Sequence, residues 1–185
     1  MPYRALYFTL WMILVAYWLA GARGNKRTAY RFNPVWRTLF VLGFAVLLWF
    51  FASRPEFFGR TLVARTDISE GSGLIVCAAG VAFALWARRT LGRNWSGNPT
   101  IKEGHELVTR GPYRLVRHPI YTGMLLAAAG TALGHGKVQD LMLLLVALAV
   151  IWLKARLEER LMLRQFPDEY ASYRRRTKAL IPFLL

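Results

Sequence analysis

Long uncharged stretches alternate with blocks of charge along this chain. The first apolar run, Tyr3 to Ala20, is interrupted only by Arg4 at its start. A helix over it would measure roughly 27 Å at 1.5 Å per residue, close to the hydrocarbon thickness of a bilayer. The second run, Val35 to Ala52, has only Arg37 near its edge, and the third, Ser72 to Ala87, has no charge. Two shorter runs come next, Ile120 to Leu133 and Val138 to Leu153, joined by Gly134, His135, Gly136 and Lys137. A Lys, Arg or Asp at the centre of a span costs about 2.5 to 3.5 kcal/mol; none of the five runs has one there. The pattern predicts an all-α integral membrane protein with about five transmembrane helices. The last two runs form a short helical hairpin, for which crossing and re-entrant readings are both open.

The charged segments set the expected orientation. If all five runs cross, one side of the membrane collects 20 of the 25 basic residues and the other 5. The positive-inside rule then puts the N-terminus outside and the C-terminus in the cytoplasm. Trp18, Trp36, Trp86 and Trp152 all fall at the cytoplasmic ends of runs, where an amphipathic ring prefers the headgroup level. Ala20, Gly21 and Ala22 resemble a signal-cleavage site, but Arg23, Lys26 and Arg27 just beyond oppose export of the downstream chain.

A formal charge of +15 would fit a nucleic-acid binder, but 55% apolar residues and seven tryptophans redirect it towards a membrane surface, so the expected partners are anionic lipid head groups and no nucleic acid. Cys77, the single cysteine, allows no internal disulfide. No metal site is expected: His105 and Glu106 begin a HExxH-like string, but position 109 is Thr.

Two cytoplasmic segments carry the candidate chemistry. Residues 88–117 hold Gly92, Gly97, Pro99, Gly104, Gly111 and Pro112, which predicts turns and short pieces. This connector leads into Arg117, His118, Pro119, Ile120 and Tyr121, with Pro119 suited to the first turn of a helix. The plainest reading gives Arg114 and Arg117 to lipid headgroups and makes His118 a cap. The second segment continues run 5 as a charged helix to about Phe166 and breaks near Pro167. Lys154 and Glu158 can pair four apart, and Arg156 can reach Glu159 three apart. Two adjacent carboxylates at the membrane boundary could equally hold a cation or ribose hydroxyls.

These residues together resemble a known family. The strings His105-Glu106-Leu107-Val108, Gly111-Pro112-Tyr113-Arg114, Arg117-His118-Pro119-Ile120-Tyr121 with Gly123, Glu158-Glu159, and Phe166-Pro167-Asp168-Glu169-Tyr170 with Tyr173 and Pro182 are similar to the isoprenylcysteine carboxyl methyltransferase family. The phospholipid N-methyltransferases share its Arg-His-Pro-x-Tyr and Glu-Glu signatures. The resemblance covers roughly residues 80 to 185. It implies a membrane enzyme that uses S-adenosylmethionine, releases S-adenosylhomocysteine, and builds a small cytoplasmic cofactor pocket from the connector and the C-terminal helix. It divides the chain into N-terminal membrane helices, 1–87, and a catalytic core, 88–185. Cofactor contacts are implied for His105, Glu106, Leu107, Val108, Tyr113, His118, Pro119, Ile120, Tyr121 and Glu158. Lys154 stands where eukaryotic members carry a substrate-binding arginine, and Arg156 and Glu159 complete the implied catalytic set. The acceptor would be lipophilic, entering from the bilayer with its nucleophile near Lys154 and Arg156. Carboxyl and amine methylation are both compatible with these residues. An NADPH-dependent membrane reductase and a non-enzymatic membrane scaffold are the rival readings.

Overall fold

The computed structural model describes residues 2–21, 28–31, 43, 49–50, 53–95, 100–102 and 107–182. Most of run 2 lies outside them, as do His105 and Glu106.

Among the described residues the helices with defined bounds are α1 (Pro2–Gly21), the single turn α2 (Pro55–Phe58), α3 (Asp67–Leu91), α4 (Pro119–His135), α5 (Val138–Gln165) and α6 (Pro167–Arg176). Among the described residues, three helices are long and apolar enough to cross a membrane: α1 from Tyr3, α3 and α5. Their outward faces are lined with exposed Leu6, Phe8, Leu19, Ile75, Leu145 and Leu153, which is the arrangement lipid requires. The chain is an integral membrane protein. The boundary at 87/88 falls inside α3, so the third run and the start of the connector share one continuous helix.

Small residues draw α3 and α4 together. Gly73, Cys77, Gly80, Ala84 and Ala87 recur at three- and four-residue intervals on one face of α3, and Gly123, Ala127, Gly130 and Gly134 on one face of α4; all are buried. The two helices run antiparallel, and a Cβ on Gly123 would lie 2.6 Å from the Ala84 nitrogen and 2.7 Å from the Gly80 oxygen. In lipid, association rests on such close backbone approach, because apolar bulk gains nothing over the surrounding tails. Tyr7 of α1 reaches this seam, and its hydroxyl donates to the Glu70 carbonyl at 2.9 Å.

Helix ends obey local rules. Thr66 and Ser69 form a capping box at the start of α3. α4 ends on Gly136 at φ +63°, a left-handed cap that favours glycine. Pro167 takes the first turn of α6 and stops α5 at Gln165, where the break near Pro167 is expected. Extended chain adds a short ribbon to the all-α architecture: β1 (Thr28–Arg31) pairs antiparallel with β2 (Thr100–Lys102), with a register irregularity between Thr28 and Tyr30.

Pairings between connecting segments sort them into two groups. β1 lies between runs 1 and 2 and pairs with β2 of the connector. The connector in turn pairs with the C-terminal tail, since Arg117 N donates to Lys178 O at 2.8 Å and His118 N to Ala179 O at 3.0 Å. At the other end, Leu62 N donates to Gly136 O at 2.7 Å and Val138 N to Arg60 O at 3.0 Å, joining the segment after run 2 to the hairpin turn. The three strongly basic segments therefore share one end of the bundle and the two weakly charged ones the other. The α4–α5 hairpin runs from one end to the other and back.

Candidate active site

The site lies at the basic end, where the connector, the first turn of α4, the charged half of α5 and the tail meet. Adjacent residues on a helix point about 100° apart, so Glu158 and Glu159 serve different neighbours. Glu158 faces α4: Tyr121 donates its hydroxyl to Glu158 Oε1 at 2.6 Å. The His118 ring stacks on Tyr121 with centroids 5.6 Å apart and planes 15° from parallel. Its Nδ1 lies 3.7 Å from Glu158 Oε2. Lys154, one turn earlier on α5, holds its Nζ 5.3 Å from the Tyr121 ring centroid.

Glu159 is the hub of a buried network. Its Oε1 accepts from Arg117 Nε at 2.8 Å and lies 2.7 Å from Arg117 Nη2. His118 Nε2 is 3.3 Å from the same oxygen, and Arg174 Nε is 3.6 Å from Oε2. A carboxylate only accepts, so Nε2 carries the proton in this contact. The remaining Arg117 donor is shared between the carbonyls of Arg174 and Thr177. One guanidinium thus ties the connector to α5, to the end of α6 and to the tail.

Several sequence expectations change at this point. Arg117 is drawn inward to Glu159 rather than left among headgroups. Glu159 is held by Arg117 and His118, while Arg156, its expected partner, stacks over Trp152 at 4.5 Å. His118 occupies the N-cap position of α4 but makes no side-chain cap bond, because both ring nitrogens face the carboxylates of α5. Pro119 sits at the helix start as expected.

Of the cofactor residues implied by resemblance, Tyr113 and Ile120 pack with Ala87 in one buried cluster, and Val108 and Tyr121 lie against it. Leu107 is half-buried beside Val108. Tyr113 is fixed from α6, where Tyr173 donates its hydroxyl to the Tyr113 carbonyl at 2.5 Å. Burial pushes the Tyr113, Tyr170 and Tyr173 phenols well above their ordinary range. Sequence reasoning missed three anchors: the tail strap on Arg117 and His118, the Tyr173–Tyr113 bond, and Thr122, whose hydroxyl donates to Leu180 O at 2.6 Å. It also missed Arg88, which is buried over the Trp95 ring and donates to the carbonyls of Gly21 and Gly92 at 2.8 Å each, closing the ends of α1 and α3.

Comparison with known proteins identifies the family. The phospholipid methyltransferase family model matches residues 69–169, which contain both motifs of the site. The chain belongs to the phospholipid methyltransferase family. A cobalt-zinc-cadmium resistance protein, CzcN, of Cupriavidus metallidurans is 32% identical over 172 residues, covering 90% of this chain and 70% of that protein. A probable protein-S-isoprenylcysteine O-methyltransferase of Oryza sativa is 31% identical over 115 residues, 60% of each chain. Among solved structures, a eukaryotic intramembrane Ras methyltransferase, isoprenylcysteine carboxyl methyltransferase, shares the fold with a TM-score of 0.58 at 23% identity, covering 84% of this chain and 55% of that one. The chain thus spans 60% of the length of the rice relative and 55% of the solved one.

Proposed function

We propose that this family member transfers a methyl group from S-adenosylmethionine to a lipophilic acceptor, with a prenylcysteine-like carboxylate as the leading acceptor class. The observation that carries the proposal is the convergence of Glu158, Tyr121 and His118 from two distant motifs beside the Val108–Tyr113–Ile120 cluster. The donor set fits the cofactor. A half-buried carboxylate, with 22% of its side chain exposed, suits ribose hydroxyls. Aromatic faces suit an adenine ring and a sulfonium cation.

Glu158 would hold the nucleoside, Tyr113 and Tyr121 would flank it, and Leu107, Val108, Pro119 and Ile120 would exclude water; His105 and Glu106 are assigned to the same pocket on resemblance alone. S-Adenosylmethionine supplies a methyl group already activated on a positively charged sulfur. The protein's work is then chiefly alignment and exclusion of water. Lys154, beside Tyr121, would draw an anionic head group towards the site. Arg156 stands about 200° round the helix from both Lys154 and Glu158, so it is given no contact with the acceptor's reacting end. Glu159 acts as a positioning residue through Arg117 and His118.

The second reading, an amine acceptor, is favoured by the family description itself. An amine must lose a proton before it attacks, and His118 is the candidate to take it; a carboxylate is already ionised at pH 7. The basic end is assigned to the cytoplasm, the N-terminus to the outside and, in a prokaryote, the protein to the plasma membrane.

Lateral entry from lipid makes the proposal testable with acceptors of graded chain length in proteoliposomes and a radiolabelled methyl donor. Each buried methylene contributes about 0.8 kcal/mol, so methylation at low acceptor concentration should rise about fourfold per methylene. Equal methylation of a short, water-soluble thioether acid or amine and its long-chain counterpart would overturn lateral entry.

A further inference from the structure

A concavity opens on a different face of α5 from the one that carries Lys154 and Glu158. It measures about 230 Å³ and is lined by Arg117, Arg156, Arg174 and Lys178, with Trp152 at its edge and Glu159 at its base. Ala155 and Ala179 also line it, and these short, buried side chains leave the space open. Glu159 is the one carboxylate in this lining among the described residues, and it faces Arg117 at 2.7 Å and Arg174 at 3.6 Å, one negative charge against four basic side chains. Arg156, Arg174 and Lys178 thus bring an excess of positive charge to a cavity only large enough for a small group.

The position narrows what that group is. The apolar run of α5 ends at Leu153, so the cavity begins at the last membrane turn and extends nearly two turns beyond it, to Glu159. Trp152 marks that level as an amphipathic ring would, and Arg156 lies across its face at 4.5 Å, a stacking that pre-orients the guanidinium. A planar guanidinium matches phosphate oxygens in pairs, and Lys adds a point charge. On the helix, Trp152, Ala155, Arg156 and Glu159 share a face distinct from that of Lys154 and Glu158, so a ligand here would not displace one held by Glu158 and Tyr121.

We propose that this cavity binds a phosphate group, that of an anionic phospholipid at the membrane surface or a free phosphate ion. A bound phosphate would bridge α5, the end of α6 and the tail, the elements that carry Glu159 and strap His118 in place. Anionic lipid would then support the site's geometry without being its acceptor. The inference does not depend on the identity of the acceptor or on methyl transfer itself.

The test is thermal unfolding of the full chain in a neutral detergent, titrated separately with phosphatidylglycerol, phosphatidylcholine, inorganic phosphate and sodium chloride at matched ionic strength. The expected result is a saturable rise in Tm with phosphatidylglycerol and none with phosphatidylcholine or chloride. The half-saturating concentration should rise about tenfold or more in Arg174→Gln/Lys178→Gln, since two basic side chains at the headgroup are removed. It should stay within about twofold in the charge-matched Arg160→Gln/Arg164→Gln, whose residues lie outside the cavity. An equal rise with inorganic phosphate assigns the site to the free ion, and a rise with the lipid alone assigns it to the headgroup. Lys178→Gln by itself, which keeps the Lys178 backbone bond to Arg117, should still weaken the response several-fold and covers failure of the double variant to fold. No saturable response to either phosphate source, or equal weakening in the two double variants, would overturn the proposal.

Discussion

At the scale of single residues, position round the helix separates the two adjacent glutamates into different jobs. Glu159 and Arg117 have side chains 6% and 9% exposed, and removing one partner of a buried pair leaves the other charge uncompensated. Glu159→Ala should therefore destabilise the protein by about 3 kcal/mol or more, measured as thermal unfolding in detergent, and Arg117→Met/Glu159→Met should recover part of the loss. The raised phenols give a pH dependence with a definite sign. An unfolded tyrosine ionises near pH 10, while burial keeps Tyr113, Tyr170 and Tyr173 protonated beyond that. Over that interval the unfolded state binds fewer protons, so stability is retained below about pH 10 and falls as pH rises past it; unfolding midpoints measured from pH 8 to 11 check this. The candidate carboxylates were legible in the sequence because both signatures are contiguous strings. The partner of Glu159 was not, since Arg156 at three residues' distance satisfies local spacing, whereas Arg117 is 42 residues away and only the fold brings it in.

At the scale of elements, the α3–α4 seam and the tail strap position the site. Gly80 and Gly123 leave no room for a side chain, as a Cβ on Gly80 would lie 2.6 Å from the Gly123 oxygen. Gly123→Val should force the backbones apart and cost about 1–3 kcal/mol or more, read as lost thermal stability with a drop in folded yield. Because His118 stands at the N-cap of α4 and Tyr121 in its first turn, the same variant should also weaken cofactor binding. The helices and the Pro167 break arise from hydropathy and local rules and could be read in advance. The seam's small residues were equally visible at three- and four-residue intervals, but a hydropathy scan counts Gly and Ala merely as apolar and does not weigh close approach. The β1–β2 ribbon had no such signal, because four- and three-residue strands leave no usable alternation.

At the scale of the whole molecule, backbone pairings and the charge count agree on which segments share an end of the bundle, although one rests on hydrogen bonds and the other on electrostatics. With Cys77 replaced by alanine, an impermeant maleimide applied to intact cells should label Leu62→Cys, whereas Arg110→Cys and Arg175→Cys should react only after permeabilisation; labelling of Arg110→Cys in intact cells would contradict the assigned orientation. The central claim, that the Glu158–Tyr121–His118 cluster forms a cofactor site, is tested most directly by calorimetric titration of the detergent-purified chain with S-adenosylmethionine. Losing a hydrogen bond to a charged group costs about 1.5 to 3 kcal/mol. Saturable binding to the native chain is therefore expected, weakened about 10- to 100-fold in Glu158→Gln and less in Glu159→Gln. Absence of binding to the native chain, or unchanged affinity in Glu158→Gln, would contradict the claim.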